Sequence, residues 1–299
     1  MIEVKNLTVK YGDKMAVDDI SFSVNKNEIF GIIGENGAGK TTITECIEGI
    51  RTFNKGTITI KGMDPVKQKK EIQHIIGVQL QETTYPKRIK VKELCELFAS
   101  FYVDTKDYKE LIAEFKLNDQ LNQYVEKLSG GQRQRLSIIL ALLHNPEVVF
   151  LDELTTGLDP RSRRDMWDYI LHLKEKGVTV VMTTHFMDEA EYLCDRLAIF
   201  NKGRLVELDT VPNLIKKLDY KEKISFMVKG DFDESILNNV HVLKVRKRKV
   251  EYILYGTKGL SDFIKDVLDK NQTKYFNLKV TQPNIEDVFF EFTDREVNY

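Results

Sequence analysis

The chain has 299 residues, enough for one large α/β domain or for a domain with a small companion. Basic and acidic residues nearly cancel, 45 against 46 for a formal net charge of −1, so the basic excess typical of a nucleic-acid-binding protein is missing. Three separated cysteines, Cys46, Cys95 and Cys194, form no C-x-x-C pair, which argues against disulfides and zinc and fits a reducing cytosol. No run approaches the ~18 apolar residues of a membrane span, so the chain is not expected to cross a membrane itself. The N-terminal MIEVKNLTVK alternates like a strand rather than reading as a signal peptide.

In chain order, residues 1–30 are predicted to form short strands with a turn at 11–14 (YGDK). The apolar run 28–33 (EIFGII), a glycine-rich loop and an amphipathic stretch to residue 50 read as strand, loop and helix. Residues 82–145 change character: 92–101, 108–115 and 132–143 have helical periodicity, which predicts a helical insertion. The α/β pattern resumes with 148–151 (VVFL), a continuous apolar run as in a central parallel strand. Asp159 and Pro160 have the chemistry of an N-cap and a first helical residue, and Gly177 ends that helix. Residues 178–182 (VTVVM) read as another buried strand, with a helix from about residue 187. Beyond about residue 217, strands at 224–228, 240–245 and 250–255 and helices at 259–268 and 284–292 predict a small α+β domain. The expected domains are therefore 1–217 and 218–299. The basic run 244–249 (KVRKRK) is read as a solvated hairpin turn, because one local run is not a basic face.

Residues 34–41, GENGAGKT, fit the phosphate-loop pattern in its proper strand-to-helix context. Gly34, Gly37 and Gly39 let backbone N–H groups wrap phosphates, with Glu35, Asn36 and Ala38 completing the loop. Lys40 is expected at the β- and γ-phosphates, Thr41 on Mg²⁺ and Thr42 on a phosphate oxygen. The strand VVFLDE (148–153) supplies Asp152 for the metal and, at the strand's mouth, Glu153 to take a proton from an attacking water. Gln81, after a short apolar strand at 75–78, is a candidate for Mg²⁺ or for that water. His185, after VTVVM, is a candidate donor to the γ-phosphate, although a lone histidine at a strand end is more often a plain loop residue. Residues 127–137, KLSGGQRQRLS, place Ser129 and two glycines at a helix start, a second anion cradle that one nucleotide site does not need.

Taken together, these residues over about 1–217 resemble the nucleotide-binding subunit of ATP-binding cassette (ABC) transporters: a P-loop NTPase cassette of the α/β class, with antiparallel β and helical subdomains. The resemblance implies that GENGAGKT is the Walker A loop, that VVFLDE is the Walker B strand with catalytic Glu153, and that Leu128–Gln132 (LSGGQ) is the signature motif. Gln81 matches the Q-loop, His185 the switch histidine and Gly157, Leu158 and Asp159 the D-loop; Tyr11 takes the place of an aromatic that stacks on adenine. It also implies an ATPase using ATP and Mg²⁺ that dimerises head to tail. Ser129, Gly130, Gly131 and Gln132 of one chain would then meet the γ-phosphate held by the other. Closure and hydrolysis would drive a separate transmembrane permease from the cytoplasmic face of the membrane, through a groove at residues 82–88 and the helix from Lys92, with Tyr85 and Phe98 as anchors. The stretches 184–204 and 283–292 (PNIEDVFFEF) resemble the bacterial exporters of drugs, antimicrobial peptides or lipids, whose cassettes carry a C-terminal α+β extension. One position departs from the family: Leu154 stands where proline commonly follows the catalytic glutamate, which leaves that turn freer. The alternative, a soluble ABC-type ATPase acting on ribosomes or nucleic acid, meets a chain with one Walker A loop and no long coiled coil between Thr41 and Ser129.

Overall fold

The computed structural model describes residues 1–79, 85–229 and 232–294; Gln81 and residues 82–84 of the expected docking stretch lie outside them. Its contacts divide the chain into two compact units, Met1–Thr210 and the residues from Val211 onward.

The first unit runs β1 (Ile2–Tyr11), β2 (Lys14–Val24), β3 (Ile29–Gly34), α1 (Lys40–Ile47), β4 (Lys55–Ile60), α2 (Lys69–Gln73), β5 (Ile76–Gln79), α3 (Val91–Ala99), α4 (Tyr108–Glu114), α5 (Gly130–Leu142), β6 (Val148–Asp152), α6 (Pro160–Glu175), β7 (Thr179–Thr184), α7 (Met187–Leu193), β8 (Arg196–Asn201) and β9 (Arg204–Thr210). A six-stranded sheet has the order β5-β6-β7-β3-β8-β9. Its first five strands are parallel and β9 is an antiparallel edge. Every residue of β3 and β7 is buried, which is why both read as unbroken apolar runs rather than alternating ones. A second, antiparallel sheet has the order β2-β1-β4, and its inward side chains share one core with α1 and a face of the large sheet. Between β5 and β6 the described residues are helices and turns without a strand, as the periodicity predicts.

The neighbouring strands β6, β7 and β3 set the position of the functional residues. Pairing Asp152 with Thr183, and Ile33 with Thr184, brings three strand ends and their loops to one edge. In open parallel sheets that carboxyl edge is where ligands bind.

The second unit contains α8 (Val211–Lys216), β10 (Glu222–Val228), β11 (Val242–Arg248), β12 (Glu251–Gly256), α9 (Leu260–Lys270), β13 (Tyr275–Thr281) and α10 (Ile285–Asp294). Its sheet has the order β11-β12-β10-β13, covered on one face by α9 through Leu260, Ile264 and Leu268, spaced one helical turn apart. Helix α8 packs with α10, so it belongs here rather than with the residues before 218. The basic run 244–249 is not a hairpin turn: it lies mostly in edge strand β11, and the turn follows at Lys249 and Val250. Its charges have intramolecular partners, with Lys244 2.9 Å from Glu291, Lys247 2.5 Å from Glu234, and Arg246 over the rings of Tyr255 and Phe290.

One buried titratable group ties the helical layer to the large sheet. His144, just past α5, donates from Nε2 to the carbonyl of Ile76 in β5 at 2.8 Å, and its ring stacks on Tyr102 with centroids 4.2 Å apart. Its Nδ1 is buried and has no hydrogen-bond partner among the described residues, and burial pushes its pKa below the ordinary value. Protonation would bury an N–H with nothing to accept it. A depressed folded-state pKa means that this contribution to stability is complete above the unfolded value and fades as pH falls through it. Denaturation midpoints should therefore drop between about pH 7.5 and 5.5, and should drop less in His144→Gln, which keeps a donor for Ile76 but does not titrate.

Candidate active site

The phosphate loop is built by close packing around backbone. Gly39, the N-cap of α1, has φ 99°, and a Cβ there would lie 2.7 Å from the carbonyl of Ala16. Only glycine satisfies both conditions. Gly37 also has positive φ, and a Cβ would meet nothing within 4 Å, so its backbone faces open space. The N–H of Gly203, in the β8–β9 turn, donates to the Ala38 carbonyl at 3.2 Å and fastens the loop from behind. Lys40 is 5% exposed, and its Nζ bonds to the carbonyls of Gly34 and Glu35 at 2.9 and 3.1 Å. Burial lowers its pKa, and the charges of Glu153 and Asp152 oppose that fall. Tyr11 is 42% exposed; its hydroxyl is 3.1 Å from that of Thr42, and the Arg51 guanidinium lies 5.0 Å from its ring centroid.

The carboxylates stand at the end of β6. Asp152 accepts a short hydrogen bond from the Thr183 hydroxyl, and its N–H donates to Gln79 Oε1 at 3.1 Å. Burial raises the Asp152 pKa, the Thr183 bond lowers it, and the Glu153 charge raises it again. Glu48 is pushed up to about 7, by burial first and then by the charges of Asp152 and Glu45. Glu153 takes a left-handed φ of 47°, held by bonds from its N–H to the Thr183 carbonyl and hydroxyl at 3.1 and 3.2 Å. That turn aims the carboxylate at His185, whose Nδ1 is 3.4 Å from Glu153 Oε1. The donor set fits a nucleotide triphosphate with a divalent cation. The Lys40 ammonium and the glycine-rich backbone offer donors to phosphate oxygens, and the Asp152 carboxylate beside them offers an oxygen ligand to a divalent cation. Mg²⁺ takes only one or two protein carboxylates beside phosphate oxygens.

Ser129 caps α5 in a reciprocal box: its Oγ accepts from the Gln132 N–H at 3.3 Å, and its own N–H donates to Gln132 Oε1 at 2.9 Å. Ser129 and Gly130 are exposed, and a Cβ on Gly130 would meet nothing within 4 Å. This second cradle therefore faces outward. Asp159 caps α6, accepting from Arg161 N, Ser162 N and Ser162 Oγ at 3.0, 3.1 and 2.6 Å, so its carboxylate is engaged within its own turn. Tyr85 and Phe98, expected as anchors, line a cavity of about 280 Å³ with Ile50, Val78, Leu140 and His144, their rings 6.4 Å apart. Thus Lys40, Asp152, Glu153 and His185 share one charged neighbourhood, whereas Ser129 and Gln132 make their hydrogen bonds locally. Sequence reasoning misses Thr183 and Gln79 as supports of Asp152, and Glu48 as a nearby acid. The parallel register that pairs Asp152 with Thr183 is the available signal for the first.

A phosphate loop opening a helix, with an acidic β6 end beside it, defines a P-loop nucleoside triphosphatase of the α/β class. The ABC transporter family profile matches residues 17–156. The linearmycin resistance ATP-binding protein LnrL of Bacillus subtilis is 31% identical over 99% of both chains. The Nod factor export ATP-binding protein I of Rhizobium meliloti is 34% identical over 99% of this chain and 89% of its own. Among solved structures, an ATP-binding subunit of an ABC transporter aligns with TM-score 0.66 at 26% identity, covering 73% of this chain and 92% of its own. A cassette solved as a dimer bound to ADP and Pi aligns with TM-score 0.63 at 25% identity, covering 70% of this chain and 98% of its own. The chain belongs to the ABC transporter family as an ATP-binding, ATP-hydrolysing subunit.

At Leu154, where the family commonly has proline, the side chain packs into the interior. It is 2% exposed, and the turn is closed by bonds from Thr156 N to Glu153 O at 3.1 Å and from Leu158 N to Thr155 O at 3.2 Å. Leu154→Ala should destabilise the fold by about 2–5 kcal/mol in chemical denaturation, as cavity-forming core truncations do.

Proposed function

We propose that the chain is the energy-coupling subunit of an exporter. Two copies close head to tail on ATP at the cytoplasmic face of a membrane. They drive a separate membrane subunit that exports a drug, antimicrobial peptide or lipid. The observation that carries this reading is the exposed Ser129–Gly130 cap, a complete anion cradle that faces outward instead of toward its own chain's nucleotide. In this reading Ser129, Gly130, Gly131 and Gln132 complete the γ-phosphate site of the partner copy.

Within one site, the loop from Gly34 to Gly39, with Glu35, Asn36 and Ala38, wraps the phosphates through its backbone. Lys40 exchanges its two carbonyl contacts for phosphate oxygens, and Thr42 adds a hydroxyl. Exposed Tyr11 offers a ring face to adenine. Thr41 and Asp152, with Gln81, would hold Mg²⁺, which when bound neutralises charge on the phosphates. Glu153 accepts the proton of the attacking water, and His185 donates toward the γ-phosphate. Asp159 acts through the turn it caps, at the junction with the partner. After hydrolysis the contacts to the γ-phosphate are lost and the dimer relaxes, since a ligand shifts an equilibrium only by its differential affinity.

The export assignment is supported by relatives named for linearmycin resistance and Nod factor export, and by the Escherichia coli probable multidrug ABC transporter ATP-binding protein YbhF, 36% identical over 72% of this chain and 38% of its own. Among the described residues no helix is long and apolar enough to cross a membrane, and the path through the bilayer is assigned to the second subunit. The cavity lined by Tyr85, Phe98 and Tyr102, with Glu48, Lys69 and Gln73 also on its wall, offers aromatic anchors and polar groups to a short helix from that subunit.

Glu153→Gln should lower ATP turnover by about 10²–10⁴-fold, the usual worth of a general base, while leaving ATP binding intact. Light scattering should then show a dimer with ATP and a monomer with ADP. A monomer in both would overturn the sandwich. In vesicles with the membrane subunit, the same variant should abolish efflux; undiminished efflux would overturn energy coupling.

A further inference from the structure

Two helices start beside the chemistry. Helix α6 starts at the Asp159 cap, and α7 starts two residues after His185. They are tied to each other at those starts by a compact set of unlike contacts. Arg163 of α6 reaches across to Asp188 of α7, Nη2 to Oδ2 at 3.0 Å. Its guanidinium lies 5.4 Å from the Trp167 ring centroid and 5.2 Å from that of Phe186. Phe186 in turn lies against the His185 ring, centroids 4.2 Å apart. One turn further on, Trp167 Nε1 donates to Glu189 Oε1 at 2.9 Å. Glu189 is 1% exposed. Burial pushes its carboxyl up, and Thr184, Thr155 and Trp167 pull it back toward ionisation. Thr184 immediately precedes His185 and also accepts the Phe186 N–H at 3.0 Å.

We propose that Arg163, Trp167 and Glu189 form a staple that positions His185: it locks the loop carrying the histidine to the helix that begins at Asp159, so that the imidazole is preset over Glu153 and the γ-phosphate. The physical reasons are specific. The buried Glu189 carboxylate ties α7 to Trp167 of α6, and the Thr184 hydroxyl, which favours its ionised form, accepts the Phe186 N–H and so braces the loop on both sides of His185. A planar cation held between two rings fixes Phe186 as well. With both neighbours fixed, the intervening histidine has little backbone freedom left to lose in the transition state. The other end of the staple reaches the signature helix. Gln134 Nε2 donates to the Thr156 carbonyl at 3.3 Å, and a Cβ on Gly131 would lie 3.4 Å from Ser162. The signature helix and the staple thus both bear on the start of α6.

The staple rests on the placement of His185 at the γ-phosphate, and the test separates the two. Arg163→Met and Glu189→Leu should each lower kcat by about tenfold with KM for ATP changed less than about twofold, the pattern of an interaction felt only in the transition state. Glu189→Gln, which can still accept from Trp167 and Thr184, should restore most of the activity. In a His185→Ala background the same substitutions should cost little further, because the residue they position is gone. Equal fold-losses in both backgrounds would overturn the staple while leaving the role of His185 intact. His185→Ala with undiminished kcat would overturn that placement and the staple with it. If Glu189→Leu fails to fold, Arg163→Met, at a partly exposed side chain, carries the same comparison.

Discussion

A buried ammonium sets the terms for this structure. Lys40 is almost wholly removed from water and has two loop carbonyls as partners, with the charges of Asp152 and Glu153 nearby. An isolated buried charge is costly, and the surroundings offset that cost in two ways: backbone oxygens and nearby carboxylates. The rest of the site keeps that balance. The carboxylates stand at the end of β6, one strand removed from β3, on the same carboxyl edge of the sheet. The Thr183 hydroxyl and the Gln79 side chain hold Asp152 in place there. In the proposed reading, a triphosphate with its cation completes both halves of the charge pattern at once.

The signature helix shows what one chain leaves undone. Its N-terminal N–H groups are arranged by Ser129 and Gln132, which satisfy each other, and its glycines expose backbone where a side chain would block an anion. In the proposed reading, this outward-facing cradle is half of a site completed by a second copy. Dimerisation then belongs to the chemistry instead of following from it. The staple between α6 and α7 bears on the same start of α6 as the signature helix.

Much of this is legible in the sequence because the motifs are local. A phosphate loop needs strand, glycines and helix in succession, and GENGAGKT shows all of them between 28 and 50. The acidic end of VVFLDE and the Ser129 cap are equally compact. What escapes is non-local or locally ambiguous. Thr183 and Gln79 support Asp152 across strands, so only the sheet order reveals them. Strand β13, YFNLKVT, escapes because a left-handed Asn277 breaks its alternation and much of it stays exposed. The basic run of β11 reads as a turn because edge strands carry charge to discourage pairing with other chains. The burial of Leu154 escapes because it depends on the tertiary fold.

The central claim is that LSGGQ of one copy meets the phosphate loop of another, and disulfide trapping tests it most directly. The native Cys46, Cys95 and Cys194 are all buried, which leaves introduced surface thiols to report alone. One preparation would carry Asn36→Cys and the other Ser129→Cys, both with Glu153→Gln to hold ATP. Mixed and mildly oxidised, they should give a cross-linked species of twice the chain mass that forms with ATP and not with ADP. Trapping that ignores the nucleotide, or none at all while the ATP dimer persists, would contradict the shared site.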